Sequence, residues 1–191
     1  METKLLKKFI VKIPKNVFVF FSKNNNLVIL GPFGLKSVQL TNKIIVSNSR
    51  KSIFVTDLPF FKFSFFKTKT FKDLQKTYII LLKQKINEVL ITVKKRLNLV
   101  GIGYRVSITE ISSLQILKLK LGFSHSIYFK IPKKLTVICP TPTKILIFGS
   151  CQQSVDKMSS LIKSYKIPDI YKGKGILYNN EKIVLKEGKK V

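Results

Sequence analysis

The amino-acid sequence predicts an α+β fold: two similar domains, each an antiparallel sheet with one helix packed on a face, and a basic C-terminal tail. Three observations carry this. Most of the chain is short apolar stretches broken by Gly, Pro, Asn and Ser turns. Twice the apolar period changes from strand-like to helical. And "VILGPFGLKSVQLTNKIIVSNSRKSIFVT" can be laid over "KLKLGFSHSIYFKIPKKLTVICPTPTKILIFG". In both, an apolar strand meets a Gly-Phe turn and is followed by two strands around a polar turn. A sheet covered on one side leaves its other face free, which suits a protein that lies against something large.

In the first domain, residues 1–93, strands are expected at Phe9–Ile13, Val17–Ser22, Leu27–Leu30, Lys36–Leu40, Lys43–Val46 and Ser52–Val55. Pro14, Asn24–Asn26 and Gly31–Gly34 are the turn signals between them. From Phe71 to Val93, Leu74, Tyr78, Leu81, Leu82, Ile86, Val89 and Leu90 recur at helical spacing, with lysines on the other face. Thr70 followed by Asp73 supplies an N-terminal cap. The second domain, residues 94–170, repeats the plan. Strands are expected across Arg96–Ile108, Leu114–Leu121, Ile127–Ile131, Leu135–Ile138 and Lys144–Phe148. A helix follows, with Ser150 as cap, Gln153 at the capping-box position, and Val155, Met158, Leu161, Ile162 and Tyr165 on one face. Pro168 ends it. "LVGIGYR" (Leu99–Arg105) lacks the third glycine of a dinucleotide loop and reads as a bend or bulge in a curved strand.

Composition narrows the function. The 191 residues are 45% hydrophobic, enough to build real cores. Yet 36 basic residues face 9 acidic ones, a formal net charge of +27. Such a surface repels itself unless a polyanion neutralises it, nucleic acid first and an anionic membrane surface second. Enzymatic chemistry finds no foothold. His125 is the only histidine, the acids form no catalytic or metal-binding pattern, and Cys139 and Cys151 match no zinc or CxxC spacing. No cofactor, metal or small-molecule substrate is therefore expected. No charge-free stretch approaches the roughly 20 apolar residues of a membrane-spanning helix. Alanine is absent while Lys, Phe, Ile and Asn are abundant, the mark of A/T-rich codons.

The tail, residues 171–191, is different in kind. Lys172-Gly173-Lys174-Gly175 follows a proline stop and lies between Tyr171 and Tyr178. A helix tolerates two close glycines poorly, at about 1 kcal/mol each, and a strand gains nothing from them. Glycines let backbone amides approach a phosphate, the lysines supply charge, and the tyrosines offer rings for stacking on bases or sugars. Lys182, Lys186, Lys189 and Lys190 extend the basic strip; the alternative is a solvated tail. "LGFSHS" puts Ser124 and His125 beside a glycine turn, read either as solvated polar residues or as contacts to an RNA backbone. "CPTPT" (Cys139–Thr143) is a rigid turn between strands.

These residues also carry a resemblance. "IPDIYKGKGILY" followed by "KEGKK" is similar to the C-terminal signature of ribosomal protein six of the large subunit, bacterial type. The similarity continues upstream through "RLNLVGIGYRV", the "GFSH" stretch and the helix ending "LIKSYKIPD", covering Arg96 to Lys190. From Lys8 to Thr92 plan and length agree, with looser wording. The resemblance implies two similar α+β domains, no catalytic activity, and a structural role in the large subunit among neighbouring ribosomal proteins. It also implies docking of the second domain and tail onto large-subunit rRNA near the sarcin–ricin and factor-binding region. The matching positions are Tyr171, Lys172, Gly173, Lys174, Gly175, Tyr178, Lys186, Lys189 and Lys190, with Gly122–His125, Thr141 and Thr143 alongside. Leu177 and Leu185 stand where the family usually has basic residues, so some rRNA contacts are expected to be weaker or handed to a neighbouring protein.

"LPFFKFSFFKTKTF" (Leu58–Phe71) has no equally apolar counterpart in the family pattern. Phe60, Phe61, Phe63, Phe65 and Phe66 are either a partly buried loop or an interface for a protein neighbour. The family similarity starts within a few residues of Met1, and with the A/T bias this leads to the expectation of an organelle-encoded protein. The mitochondrion is favoured over the plastid, with an A/T-rich bacterium third.

Overall fold

The computed structural model describes residues 9–22, 25–40, 42–47, 51–59, 68–111 and 114–188. The chain divides into two compact units, Met1–Thr92 and Val93–Val191.

In the first unit, β1 (Ile10–Lys12), β6 (Ser52–Pro59) and β5 (Asn42–Ser47) form one antiparallel sheet. A meander of β2 (Phe18–Ser22), β3 (Asn26–Gly31) and β4 (Gly34–Gln39) forms another. Helix α1 (Thr68–Leu90) follows. In the second unit, β7 (Val93–Val100), β12 (Lys144–Gly149) and β11 (Leu135–Thr141) repeat the first arrangement. The meander β8 (Arg105–Ile111), β9 (Leu114–Lys120), β10 (Ile127–Lys130) repeats the second, and α2 (Gln152–Ser164) follows. In each unit the first strand pairs with the sixth and the sixth with the fifth. The duplication legible in the shared wording is thus a shared topology. Its one addition is β13 (Gly175–Tyr178), which pairs with the free edge of β7.

Local pattern explains most of the elements. Along β7, Leu97 and Leu99 are buried while Lys94, Arg96 and Val100 are exposed, the period-2 alternation of a sheet with one face inward. Leu97 and Leu99 join Ile145, Ile147 and Ile176 from neighbouring strands in one core. Val106, Leu117 and Leu119 of the meander and Val155, Met158 and Ile162 of α2 complete it. The expected single sheet per unit is therefore two sheets and a helix around a common core.

Five local expectations are corrected. The strand expected over Arg96–Ile108 is two strands in different sheets, because the chain turns a corner at Gly101–Tyr104, where Gly103 takes a left-handed φ of 74°. Helix α1 begins at Thr68, so Thr70 lies inside its first turn, and the Asp73 carboxylate accepts from Lys76 at 3.1 Å instead. Leu74 is 46% exposed and Gln75 takes its place against the core. The Gln75 side-chain amide donates to the Val55 carbonyl at 2.6 Å, which satisfies the buried group. Finally, the N-cap of α2 is Cys151, with no side-chain capping hydrogen bond, and Gln153 is exposed. Ser159 is buried on its inner stripe, while Leu161, about 100° around the helix from Ile162, is 44% exposed.

Candidate nucleic-acid interface

The strand register gathers four loops at one end of the second unit. Val100, the last residue of β7, pairs with Gly175, the first of β13. Asn98 pairs with Lys144, the first residue of β12, which also pairs with Thr141 at the end of β11. In the meander, Arg105 at the start of β8 pairs with Lys120 at the end of β9, next to Ile127 at the start of β10. Loops 101–104, 121–126, 141–143 and 165–174 therefore leave the same end of the unit.

Direct contacts weld them together. The buried Tyr104 ring lies against both Gly101 and Gly122: a Cβ on either would sit 2.8 Å or 3.2 Å from a ring carbon. The amides of Leu99 and Val106 donate to the carbonyls of Thr143 and Pro142, each at 2.8 Å. The Lys166 ammonium lies 4.6 Å from the centre of the Phe123 ring, which also stacks on His125 at 5.9 Å.

Ser124, His125, Thr141, Thr143, Tyr171 and Lys172 are all exposed at this end. The Thr141 and Thr143 hydroxyls lie 3.5 Å apart. Arg105, Lys120, Lys144 and Lys166 join them, four cations that motif reading passed over because they sit at strand and helix ends rather than in a motif. The signal was present in the alternation, which places the last residue of a strand beside its loop.

The tail motif is built differently from the expectation. Asp169 closes the loop. Its carboxylate accepts from the amides of Tyr171 and Lys172 at 3.2 and 3.3 Å, and its carbonyl from Gly173 at 2.9 Å. Those amides are occupied within the chain, so Lys172 and Lys174 are presented on a rigid loop by side chain rather than by free backbone donors. Gly175 is required by packing, since a Cβ there would lie 2.5 Å from Pro168 Cα. Gly175 therefore cannot be enlarged without harm to the fold. Gly175–Tyr178 is also a strand of the sheet rather than part of a loose tail.

Tyr178 is half-buried against the core, with Lys95 and Lys163 ammonium groups 5.0 and 4.7 Å from its ring centre. Its ring is engaged within the unit. Lys182 and Lys186 are exposed, and the Lys186 amide donates to the Ile170 carbonyl at 3.1 Å, returning the tail to the loop end. Leu177 is half-buried in β13 and Leu185 is 55% exposed. Lys189 and Lys190 lie outside the described residues, as do Phe60, Phe61, Phe63, Phe65 and Phe66.

One ion pair fastens the strand to the helix. Lys163 of α2 meets both Glu181 carboxylate oxygens at 2.5 and 2.7 Å, and the Tyr178 amide donates to the same carboxylate at 3.1 Å. The Lys163 hydrogen bond, then that of Tyr178, hold the Glu181 carboxyl below its ordinary pKa. A carboxylate depressed by folding adds stability that is complete above its unfolded value, about 4.3, and is lost as pH falls through the folded one. Glu181→Gln is accordingly expected to lower the melting temperature at neutral pH and to flatten its decline in acid, measured by thermal melts from pH 7 to pH 3. An unchanged acid limb would show that the pair adds nothing.

Among the described residues no group of His, Cys, Asp and Glu is placed to hold a metal ion. None of the described helices is long and apolar enough to cross a membrane. Cys139 and Cys151 are free and half-buried, and burial pushes the Cys139 thiol up. Fold and site together define a class: a basic, internally duplicated α+β protein. The family described as ribosomal protein L6 matches residues 100–179, from the end of β7 to just past β13. Large ribosomal subunit protein uL6 of Chloroherpeton thalassium is 35% identical over 182 residues, 95% of each chain. The proteins of that name from Mycoplasmoides gallisepticum and Bordetella avium are 36% and 32% identical, over 94% and 96% of this chain and 93% and 97% of theirs. The chain belongs to the uL6 family of large-subunit ribosomal proteins, which is structural and non-enzymatic.

Proposed function

We propose that this protein docks on large-subunit rRNA through the loop end of its second unit, near the sarcin–ricin and factor-binding region, with neighbouring ribosomal proteins as its other partners. One observation carries the reading. Four loops far apart in sequence converge there, welded by Tyr104 and the Asp169 turn, and bring Arg105, Lys120, Lys144, Lys166 and Lys172 to one end. Positive side chains on a rigid base are what phosphate recognition requires. Lys172 and Lys174 act as point charges, while Ser124, His125, Thr141, Thr143 and the 59% exposed Tyr171 supply hydrogen bonds and a ring.

The test is the salt dependence of binding to a large-subunit rRNA transcript. Lys172→Gln with Lys174→Gln is expected to reduce the slope of log affinity against log salt by about 1.4 to 1.8, two contacts at roughly 0.7 to 0.9 each. An unchanged slope in a folded variant would return the loop to solvent.

The compartment we propose is an organelle, with the mitochondrion favoured. Support comes from composition: no alanine among 191 residues, and a Lys, Phe, Ile and Asn excess, follow a strong A/T bias. Sedimentation of organelle and cytosolic extracts through a high-salt gradient tests it. The protein is expected with the organellar large subunits.

A further inference from the structure

We propose that the solvent-facing side of the β11-β12-β7-β13 sheet is a second RNA-contacting surface, holding the phosphate backbone of an RNA strand along β7. The inference rests on the reading that the unit docks on rRNA and extends it from the loops to a sheet face. Helix α2 packs on the inner side of this sheet, against β7, β12 and β13. The outer side is left to Lys94, Arg96 and Asn98 in alternate positions along β7. Lys144 stands beside Asn98, and Phe148 beside Lys94, on β12.

The charge on this face has one sign. None of the outward residues on the four strands is acidic, and no ion pair among the described residues engages Lys94, Arg96 or Lys144. Alternate residues of a strand are about 6.7 Å apart. That matches the separation of successive phosphates along a polynucleotide, so Lys94 and Arg96 can each take one. Arg96 is one of three arginines in the chain, and its planar fork suits a phosphate better than a lysine does.

At the far end of the face the surface dips into a pocket of about 310 Å³ between Lys94, Lys95, Arg96 and Tyr178, Asn179, Asn180. The Asn179 amide donates to the Arg96 carbonyl at 3.2 Å, which carries the β13–β7 pairing one residue past Tyr178 and builds the pocket wall. At the near end, Lys144 and Val100 border the loop end described above, so the two surfaces are continuous. Apolar Leu146 stands beside Arg96 and the half-exposed Phe148 beside Lys94, where sugars and a base can rest. A flat face with a cation track and an aromatic ring fits a nucleic-acid strand better than lipid headgroups, which need no register.

The full-length protein with Lys94→Gln and Arg96→Gln tests this, beside the Lys172→Gln, Lys174→Gln variant. Both are titrated with a large-subunit rRNA transcript across salt concentrations and footprinted with hydroxyl radicals. The sheet variant is expected to keep its circular dichroism spectrum and lower the slope by about 1.4 to 1.8. It should also lose a protected RNA segment different from the one lost by the loop variant. An unchanged slope, or a weaker affinity with an unchanged footprint, overturns the sheet surface and leaves the loop reading standing. A sheet effect without a loop effect does the reverse. Reduced binding to phosphatidylserine vesicles with undiminished RNA binding also overturns it.

Discussion

Gly175→Val is expected to destabilise the second unit by about 3 kcal/mol, the upper part of the usual range for forcing extra atoms into packed structure. A Cβ at Gly175 would sit 2.5 Å from Pro168 Cα, 2.8 Å from its nitrogen and 3.0 Å from the Ile167 carbonyl carbon. All three are backbone atoms, so no side chain can rotate away. The two segments are also tied, because the Ile176 amide donates to the Lys166 carbonyl at 3.0 Å and Gly175 pairs with Val100. Relief requires the loop or β13 to move. Moving β13 withdraws Ile176, which is fully buried, from the core. In a unit of this size the cost corresponds to a fall of roughly 12 to 24 °C in its melting transition. Gly173→Ala provides the contrast. There φ is 68°, so alanine meets left-handed backbone strain of about 1 to 2 kcal/mol, but its nearest neighbour is a flexible Leu185 methyl at 3.4 Å. Thermal melts of the two variants decide the matter. If Gly175→Val melts with the wild type, the close approach does not hold the strand.

Tyr104→Ala is expected to cost about 3 to 5 kcal/mol, the range for removing a buried aromatic side chain. The ring is 8% exposed and belongs to the core cluster that contains strands from both sheets of the unit. It also forms a wall shared by two turns, Gly101–Tyr104 and Gly122–His125. The loss is therefore expected to appear twice: in the melting temperature, and in weaker rRNA binding at temperatures where the variant is still folded. Tyr104→Phe keeps the ring and should retain most of both. Equal binding by the folded alanine variant would show that the loops hold their places without a common support.

Much of the architecture was legible in residue order because its causes are local. The period of two in "RLNLV" marks a strand with one face inward, and the buried alternation of Leu97 and Leu99 follows it. The helical spacing of Tyr78, Leu82, Ile86 and Val89 places those four side chains in the core. The Gly-Phe turns of the two stretches stand at equivalent points of one topology. Charge balance is a sum over residues and needs no fold, so the strongly basic character was readable as well. The caps were misplaced because capping depends on where the helix backbone actually begins. Leu74 and Gln75 traded places because one hydrogen bond to Val55, twenty residues earlier in the chain, makes a glutamine acceptable inside.

The sequence by itself determined the class of fold, the duplication, the basic character and the stretches that meet at the loop end of the second unit. Tertiary structure alone decided which strands share a sheet, that four separate loops meet at one end, and that an open sheet face aligns Lys94, Arg96 and Lys144. It also decided what the glycines and Tyr178 are for: Gly175 clears the Pro168 backbone, and Tyr178 lies beneath Lys95 and Lys163. The physical reason is range. Periodicity and turn chemistry act between neighbours a few residues apart. Close approach, ring packing and ion pairing depend on partners brought together only when the sheets close on their common core.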